Sequence, residues 1–175
     1  MSIPRDPALQ LLIDKQEIFE LSARYMRGLD RLDLVLLKSV YWPDATDARG
    51  FIDGNAHDFC QFAIDLLAAH HANHHMIGQA LIDVEGDTAF GEIYFQAFHR
   101  VVENGAERDF WVIGRYIDRY ERRYGVWKIA HRAELNDSCA NHPASDDWLR
   151  NTPQALRGAR GEADLSYNRN KLGLD

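Results

Sequence analysis

The stretch that decides how this chain folds is residues 70–99, HHANHHMIGQALIDVEGDTAFGEIYFQAFH. It holds five of the eight histidines and leads from a helical pattern into alternating apolar and polar positions. Residues 80–84 read as a strand, Glu85-Gly86-Asp87 as a hairpin turn, and residues 88–102 as a long strand. On that strand Ile93, Phe95, Ala97 and His99 share one face, while Tyr94, Gln96 and Phe98 share the other. Working outward, Glu103-Asn104-Gly105 is a second turn and residues 108–123 a third strand. Tyr124-Gly125 and residues 127–135 add the last turn and strand. Turns this short force neighbouring strands to pair antiparallel.

The chain upstream reads as helical. Asp6 caps a helix that opens at Pro7, and Ile18, Leu21, Tyr25 and Leu29 fall on one face. Gly28 is expected to loosen the helix end and leave Asp30 at a break. A short second helix spans residues 33–41, with Asp33 as cap and Leu34, Leu37 and Tyr41 inward, and Pro43 and Asp44 end it. Residues 47–52 give a short strand closed by Asp53-Gly54. A third helix follows over residues 57–71, with Phe59, Phe62, Ile64, Leu66 and Leu67 as its apolar positions and Asn73 as its stop. Helices followed by a strand meander predict an α+β fold with helices packed on one face of a curved sheet.

The 175 residues suit one folded domain, placed at residues 1–140, with residues 141–175 as a partly flexible C-terminal extension. Beyond Asn136 the composition turns to Asn, Asp, Ser, Pro, Arg and Gly. Trp148 and Leu149 can anchor a short helix, and the polar stretch after Pro153 is expected to be loosely held or to reach a neighbouring subunit. A net charge of −7 argues against nucleic acid as a partner, because phosphate binding needs a basic face. No apolar run approaches the roughly 18 residues of a membrane span, and the first ten residues lack a signal core. A cytoplasmic protein with no membrane partner is therefore expected. Cys60 and Cys139 show no metal spacing and read as reduced thiols.

The candidate site joins His75 to Asp30. A cavity between helices and sheet, walled by Tyr25, Tyr41, Trp42, Phe95, Trp111 and Tyr116, would hold a small apolar or aromatic substrate. A carboxylate inside such a cavity needs a partner. Asp30 accepting the Nδ1 proton of His75 would fix the tautomer and leave Nε2 as a general base. His99 and Tyr25 can donate hydrogen bonds to a carbonyl or leaving group, and Arg132 can hold an anion. Each residue also has a plainer reading. Asp30 can cap the second helix, and His75 can be a structural hydrogen-bonding group. His99 and Arg132 can end their strands in solvent, and Arg132 shares its parity with Lys128 and Glu134. The His70/His74 and His71/His75 pairs have helical metal-ligand spacing, but Ala72 and Asn73 stand where a metalloprotease helix needs other residues, so no metal is expected.

Four segments in order, Tyr25-Met-Arg-Gly-Leu-Asp30-Arg-Leu-Asp33, Tyr41-Trp-Pro-Asp-Ala45, His75-Met-Ile-Gly78 and Tyr120-Glu-Arg-Arg-Tyr-Gly-Val-Trp-Lys128, resemble the SnoaL-like branch of the nuclear transport factor two-like superfamily. The resemblance covers roughly residues 11–135 and implies a cone-shaped α+β barrel: a curved antiparallel sheet with N-terminal helices on its concave face. Its scytalone dehydratase and hexachlorocyclohexane dehydrochlorinase members imply catalytic roles for Asp30, His75, His99 and Arg132. They also imply a cofactor-free lyase and a homotrimer. The chain departs from these enzymes at Ala48, Gly114 and Tyr116, and Tyr25 or a neighbour stands where the dehydrochlorinase has a lysine. The superfamily also holds isomerases, polyketide cyclases and non-catalytic β subunits of ring-hydroxylating dioxygenases. The alternatives are thus an isomerase or cyclase using the same base, or such a subunit.

Overall fold

Pro7 opens the first helix, α1 (Pro7–Arg31), and the Asp6 carboxylate accepts a hydrogen bond from the Ala8 amide, as expected. The structure is a computed structural model and describes residues 6–168. Helix α1 does not loosen at Gly28. The glycine instead admits a close neighbour: a Cβ there would lie 2.9 Å from the Leu37 Cβ, so its absence lets α2 (Leu34–Ser39) press against α1. Leu32, in the left-handed region at φ 53°, closes α1. Asp33 then caps α2 by accepting from the Leu36 amide at 2.9 Å. Asp30 is therefore still helical and buried, and the capping role falls to Asp33 alone.

Helix α2 stops before Tyr41. Tyr41, Pro43 and Asp44 lie on the first strand, β1 (Tyr41–Ala48), and β2 (Asp53–Asn55) folds back on it. Asn55 caps α3 (Ala56–Ala68), which ends before the histidine run. The meander follows as β3 (Ala72–Glu85), β4 (Thr88–Glu103), β5 (Ala106–Arg123) and β6 (Val126–Pro143). Asn104 and Gly105 have φ of 52° and 78°, and Tyr124 and Gly125 have 55° and 77°. Two successive positive φ values are the turn that matches strand twist in a tight hairpin.

The six strands form one sheet in the order β2-β1-β6-β5-β4-β3. It is curved but not closed, and β1 pairs with β6 in parallel. The curved sheet with helices on its concave face is the one expected; its antiparallel pairing holds from β3 to β6, and the parallel β1–β6 pair is the departure. The tight turns constrain β3 to β6, whereas β1 reaches β6 across the whole meander and nothing forces its direction. Helices α1 and α3 lie on the concave face over a core that includes Ile18, Leu29, Leu37, Ile93, Tyr120 and Ile129.

A register shift in β6 matters for the site. Tyr120 pairs with Ile129 but Arg119 pairs with His131, so Ala130 is an extra residue. Such a bulge reverses the alternation beyond it. Lys128 faces outward, while Arg132 and Glu134 face inward.

After β6 comes α4 (Asp147–Asn151), where Trp148 is exposed. The chain then returns across the end of α1. Arg31 pairs with Asp164 at 2.7 Å, and the Tyr167 hydroxyl donates to Asp33 at 2.8 Å. Arg160 donates to the Leu67 and His70 carbonyls at 2.8 and 2.9 Å. The loose tail read from composition thus carries specific polar ties in the described part of the chain.

Candidate active site

Helix α1 and strand β3 bring Asp30 and His75 together. The His75 Nδ1 is 2.8 Å from the Asp30 Oδ1, and the His75 backbone amide donates to both carboxylate oxygens at 3.1 Å. The Asn73 side-chain amide donates to Oδ1 at 3.0 Å. The carboxylate is held by a fan of donors from one strand, so both its position and the ring's are fixed. Side-chain exposure is 6% for His75 and 8% for Asp30. With Nδ1 on the carboxylate, Nε2 is left without a partner among the described residues.

His75 lines an apolar cavity of about 140 Å³ between α1, α3 and the sheet. That is close to the roughly 150 Å³ known to take a benzene molecule. His99, Tyr25, Phe95 and Tyr116 line it too. Phe95 stacks on Tyr116 with centroids 4.4 Å apart, and Gly114 makes room for it: a Cβ at Gly114 would sit 3.0 Å from the Phe95 ring and 2.2 Å from the Leu135 carbonyl. His99 meets His75 edge to face at 5.1 Å and His70 at 5.2 Å. Burial, with His75 and His70 beside it, pushes His99 down to about 3, so its ring stays neutral at ordinary pH. Its buried Nδ1 has no partner among the described residues.

Four expected site residues lie elsewhere. The Tyr41 hydroxyl donates to Asp47 at 3.1 Å within the core, outside the cavity lining. Trp42 donates its indole N–H to the Glu121 carbonyl, with Arg123 and Lys128 over its ring. Trp111 packs on Phe98 at 5.0 Å on the outward face, because it pairs with the outward residue Phe98 rather than with Ala97. Arg132 is fully buried, and its Nε and NH2 donate to Asp118 at 2.8 and 2.7 Å, while NH1 has no partner among the described residues. The group stacks 3.9 Å from the Tyr116 centroid and 4.3 Å from that of Tyr25, behind the cavity wall.

The structure adds residues that the sequence reading did not select. Arg49 and Glu134 line the cavity, with α3 supplying Phe59, Phe62 and Leu66. Arg49 Nε donates to Asp47 at 2.6 Å, NH1 pairs with Glu134, and NH2 donates to the Tyr25 hydroxyl at 2.8 Å. The i, i+3, i+4, i+7 spacing of Phe59, Phe62, Ala63 and Leu66 signals this wall. Nothing local signals Glu134, whose inward position depends on the β6 bulge.

The described residues contain no group of three or more His, Cys, Asp or Glu side chains placed to hold a metal ion. Among the described residues no helix is long and apolar enough to cross a membrane.

Residues 10–133 match the SnoaL-like domain family. The uncharacterized protein Rv2910c of Mycobacterium tuberculosis H37Rv is 30% identical over 125 residues, covering 69% of this chain and 84% of that protein. A hexachlorocyclohexane dehydrochlorinase of type 2 superposes with a TM-score of 0.71 at 21% identity, over 79% of this chain and 98% of that one. A type 3 dehydrochlorinase from Novosphingobium barchaimii gives 0.70 at 20% identity, over 79% and 95%. A protein of Novosphingobium aromaticivorans, provisionally named a scytalone dehydratase, gives 0.66 at 18% identity, over 77% and 91%. At these identities the structural likeness speaks to the fold alone. This chain belongs to the SnoaL-like domain family.

Proposed function

We propose that the protein is a lyase that needs no cofactor and eliminates a small group from a one-ring, largely apolar substrate. The observation that carries the reading is the Asp30–His75 pair, hydrogen-bonded at 2.8 Å on the wall of a benzene-sized apolar cavity. Asp30 holds the Nδ1 proton of His75, and Nε2 removes a proton from a substrate carbon. The carboxylate then stabilises the imidazolium while the electron pair left on carbon expels the leaving group from the neighbouring atom. Water and halide are the leaving groups of this elimination. A small aldehyde is released only if Nε2 instead takes a hydroxyl proton: the oxygen becomes the aldehyde carbonyl as the C–C bond breaks, and the electron pair stays on the other carbon, which the imidazolium reprotonates. Neutral His99 is placed to steady the departing group, and Tyr25 to donate to oxygen on the substrate. Arg132 shapes the wall from behind and touches no substrate. The names of the dehydrochlorinase and scytalone dehydratase neighbours favour this chemistry by analogy.

A screen of aromatic alcohols, diols and halides with mass detection tests the reading. Elimination lowers the product mass by that of the small molecule released, water or hydrogen halide. Isomerisation leaves the mass unchanged and would move the assignment to the rival enzyme class. His75→Ala is expected to lower turnover by about 10²–10⁴-fold with the fold intact. Full activity in that variant would refute the role of His75. The reading takes the chain as a homo-oligomer, with a trimer expected. Exposed Phe90, Ile113, Ile117 and Leu135 on the outward sheet face are the natural contact surface, and sedimentation of the full chain checks it.

A further inference from the structure

A second polar group lines the same cavity and takes no part in the base chemistry. Strand β6, which carries Glu134, is separated from β3, which carries His75, by β5 and β4. Arg49, just past the end of β1 on the other side of β6, lies flat on Phe59, its guanidinium 3.6 Å from the ring centroid. Its donors go to Asp47, Glu134 and the Tyr25 oxygen. Four of the five Arg49 N–H donors are thus committed, counting a second bond from NH2 to Asp47 at 3.3 Å, and one NH1 proton has no acceptor among the described residues.

Beside that proton, the cluster keeps one phenolic donor and one carboxylate acceptor open to the cavity. The Tyr25 oxygen accepts from Arg49, but its own proton has no acceptor among the described residues, and the residue is 1% exposed. Burial pushes this phenol up to about 12, so the proton stays in place. Glu134 uses Oε2 on Arg49, and Oε1 has no donor among the described residues, in a side chain 11% exposed. Counting Asp47 and Glu134 against Arg49, the cluster carries a formal charge of −1.

Few ligand groups satisfy both atoms. A hydroxyl accepts from Tyr25 and donates to Glu134. A halide or carbonyl accepts from Tyr25 but brings no proton to the carboxylate. An unsubstituted ring leaves both atoms unpaired and dry, which is costly. We infer that Tyr25 and Glu134, braced by Arg49, form a hydroxyl-binding subsite, and that the cavity takes a one-ring substrate anchored through a phenolic or alcoholic hydroxyl at the end away from His75. The inference deepens the proposed lyase reading, since it places the reacting carbon at the His75 end. The recognition itself requires no turnover.

The test is binding of phenol, toluene and chlorobenzene to the full chain, followed by NMR titration of backbone amides. Phenol is expected to bind about tenfold more tightly than the other two, as for a hydrogen bond to a charged partner. In Tyr25→Phe the preference should fall to about twofold or less, and in Glu134→Gln it should fall in the same direction. If Glu134→Gln does not fold, Tyr25→Phe alone decides, because it removes one oxygen and leaves the Arg49 ion pairs. Equal affinities in the wild type overturn the subsite, as does a phenol preference kept in Tyr25→Phe. A failure here with turnover still lost in His75→Ala removes only the anchor. Hydroxyl selectivity with full turnover in His75→Ala removes only the base.

Discussion

Two buried aspartates on the inner side of this fold have nearly the same surroundings by count and opposite chemistry by kind. Asp118, 1% exposed, receives two donors from Arg132 at 2.7 and 2.8 Å and the Tyr120 hydroxyl at 2.6 Å. Asp30, 8% exposed, receives His75 Nδ1 at 2.8 Å, its amide at 3.1 Å and Asn73 at 3.0 Å. Arginine does not release a proton in proteins, whereas histidine does so near neutrality. Asp118 is sealed behind Tyr25 and Tyr116, and the partner of Asp30 stands on the cavity wall. A buried carboxylate is thus a brace or part of a base according to what its partner can do with a proton.

The contrast is broken most directly by removing one partner from each pair. Arg132→Ala leaves the Asp118 charge buried and unpaired, and is expected to cost about 3–5 kcal/mol in urea unfolding. Asp30→Asn keeps an oxygen for the Nδ1 proton and leaves no stranded charge. It should cost about 1 kcal/mol while lowering turnover about 10²–10⁴-fold. Arg132→Ala unfolding at the wild-type urea concentration would return Arg132 to the list of residues free to meet substrate.

The same two aspartates show how much of the site was legible. The Asp30–His75 pair could be read because a helix face and a strand alternation each point one way, and their partnership answers a local need of a buried charge. The third to sixth strands followed from turns whose residues demand positive φ, such as Asn104-Gly105. Arg132 could not be placed, because its direction depends on one extra residue, Ala130, and a bulge leaves no mark in periodicity. Trp42 and Trp111 were assigned to the cavity on ring size alone, and aromatic character does not say which face of a sheet it serves. Tyr41 was expected on a helix that ends sooner, since the chain passes directly into β1.

A smaller effect sharpens the description of the base. With His99 pushed down to about 3 in the folded protein and near 6.5 when unfolded, the unfolded state binds more protons between those values. Stability from this group is complete above pH 6.5 and is lost as pH falls toward 3, by up to about 1.4 kcal/mol per pH unit. Urea unfolding at pH 7 and pH 4.5 should show His99→Phe losing less stability on acidification than the wild type. Equal losses would mean that His99 is protonated in the fold, and a neutral partner for His75 would be gone.

The least change expected from the comparison is at Arg160, which is joined to Asp30 by hydrogen bonds through Asn73. Its guanidinium donates to the Asn73 Oδ1 at 2.7 Å and to the carbonyls of Leu67 and His70, and the Asn73 amide then donates to Asp30. At Asp118, by contrast, Arg132 spans both oxygens directly. Residue 160 lies beyond the 10–133 family match, so this support belongs to the C-terminal segment rather than to the shared domain. Arg160→Ala should cost about 1 kcal/mol and lower turnover a few-fold, since one orienting hydrogen bond is weakened and none is stranded in the dyad itself. Arg160→Lys restores the charge but not a planar fork able to meet three separated acceptors. It should recover little, measured by urea unfolding and by the side-chain amide resonances of Asn73. Full recovery in the lysine variant would show that charge alone supports Asp30, and the two aspartates would then differ only in their immediate partners.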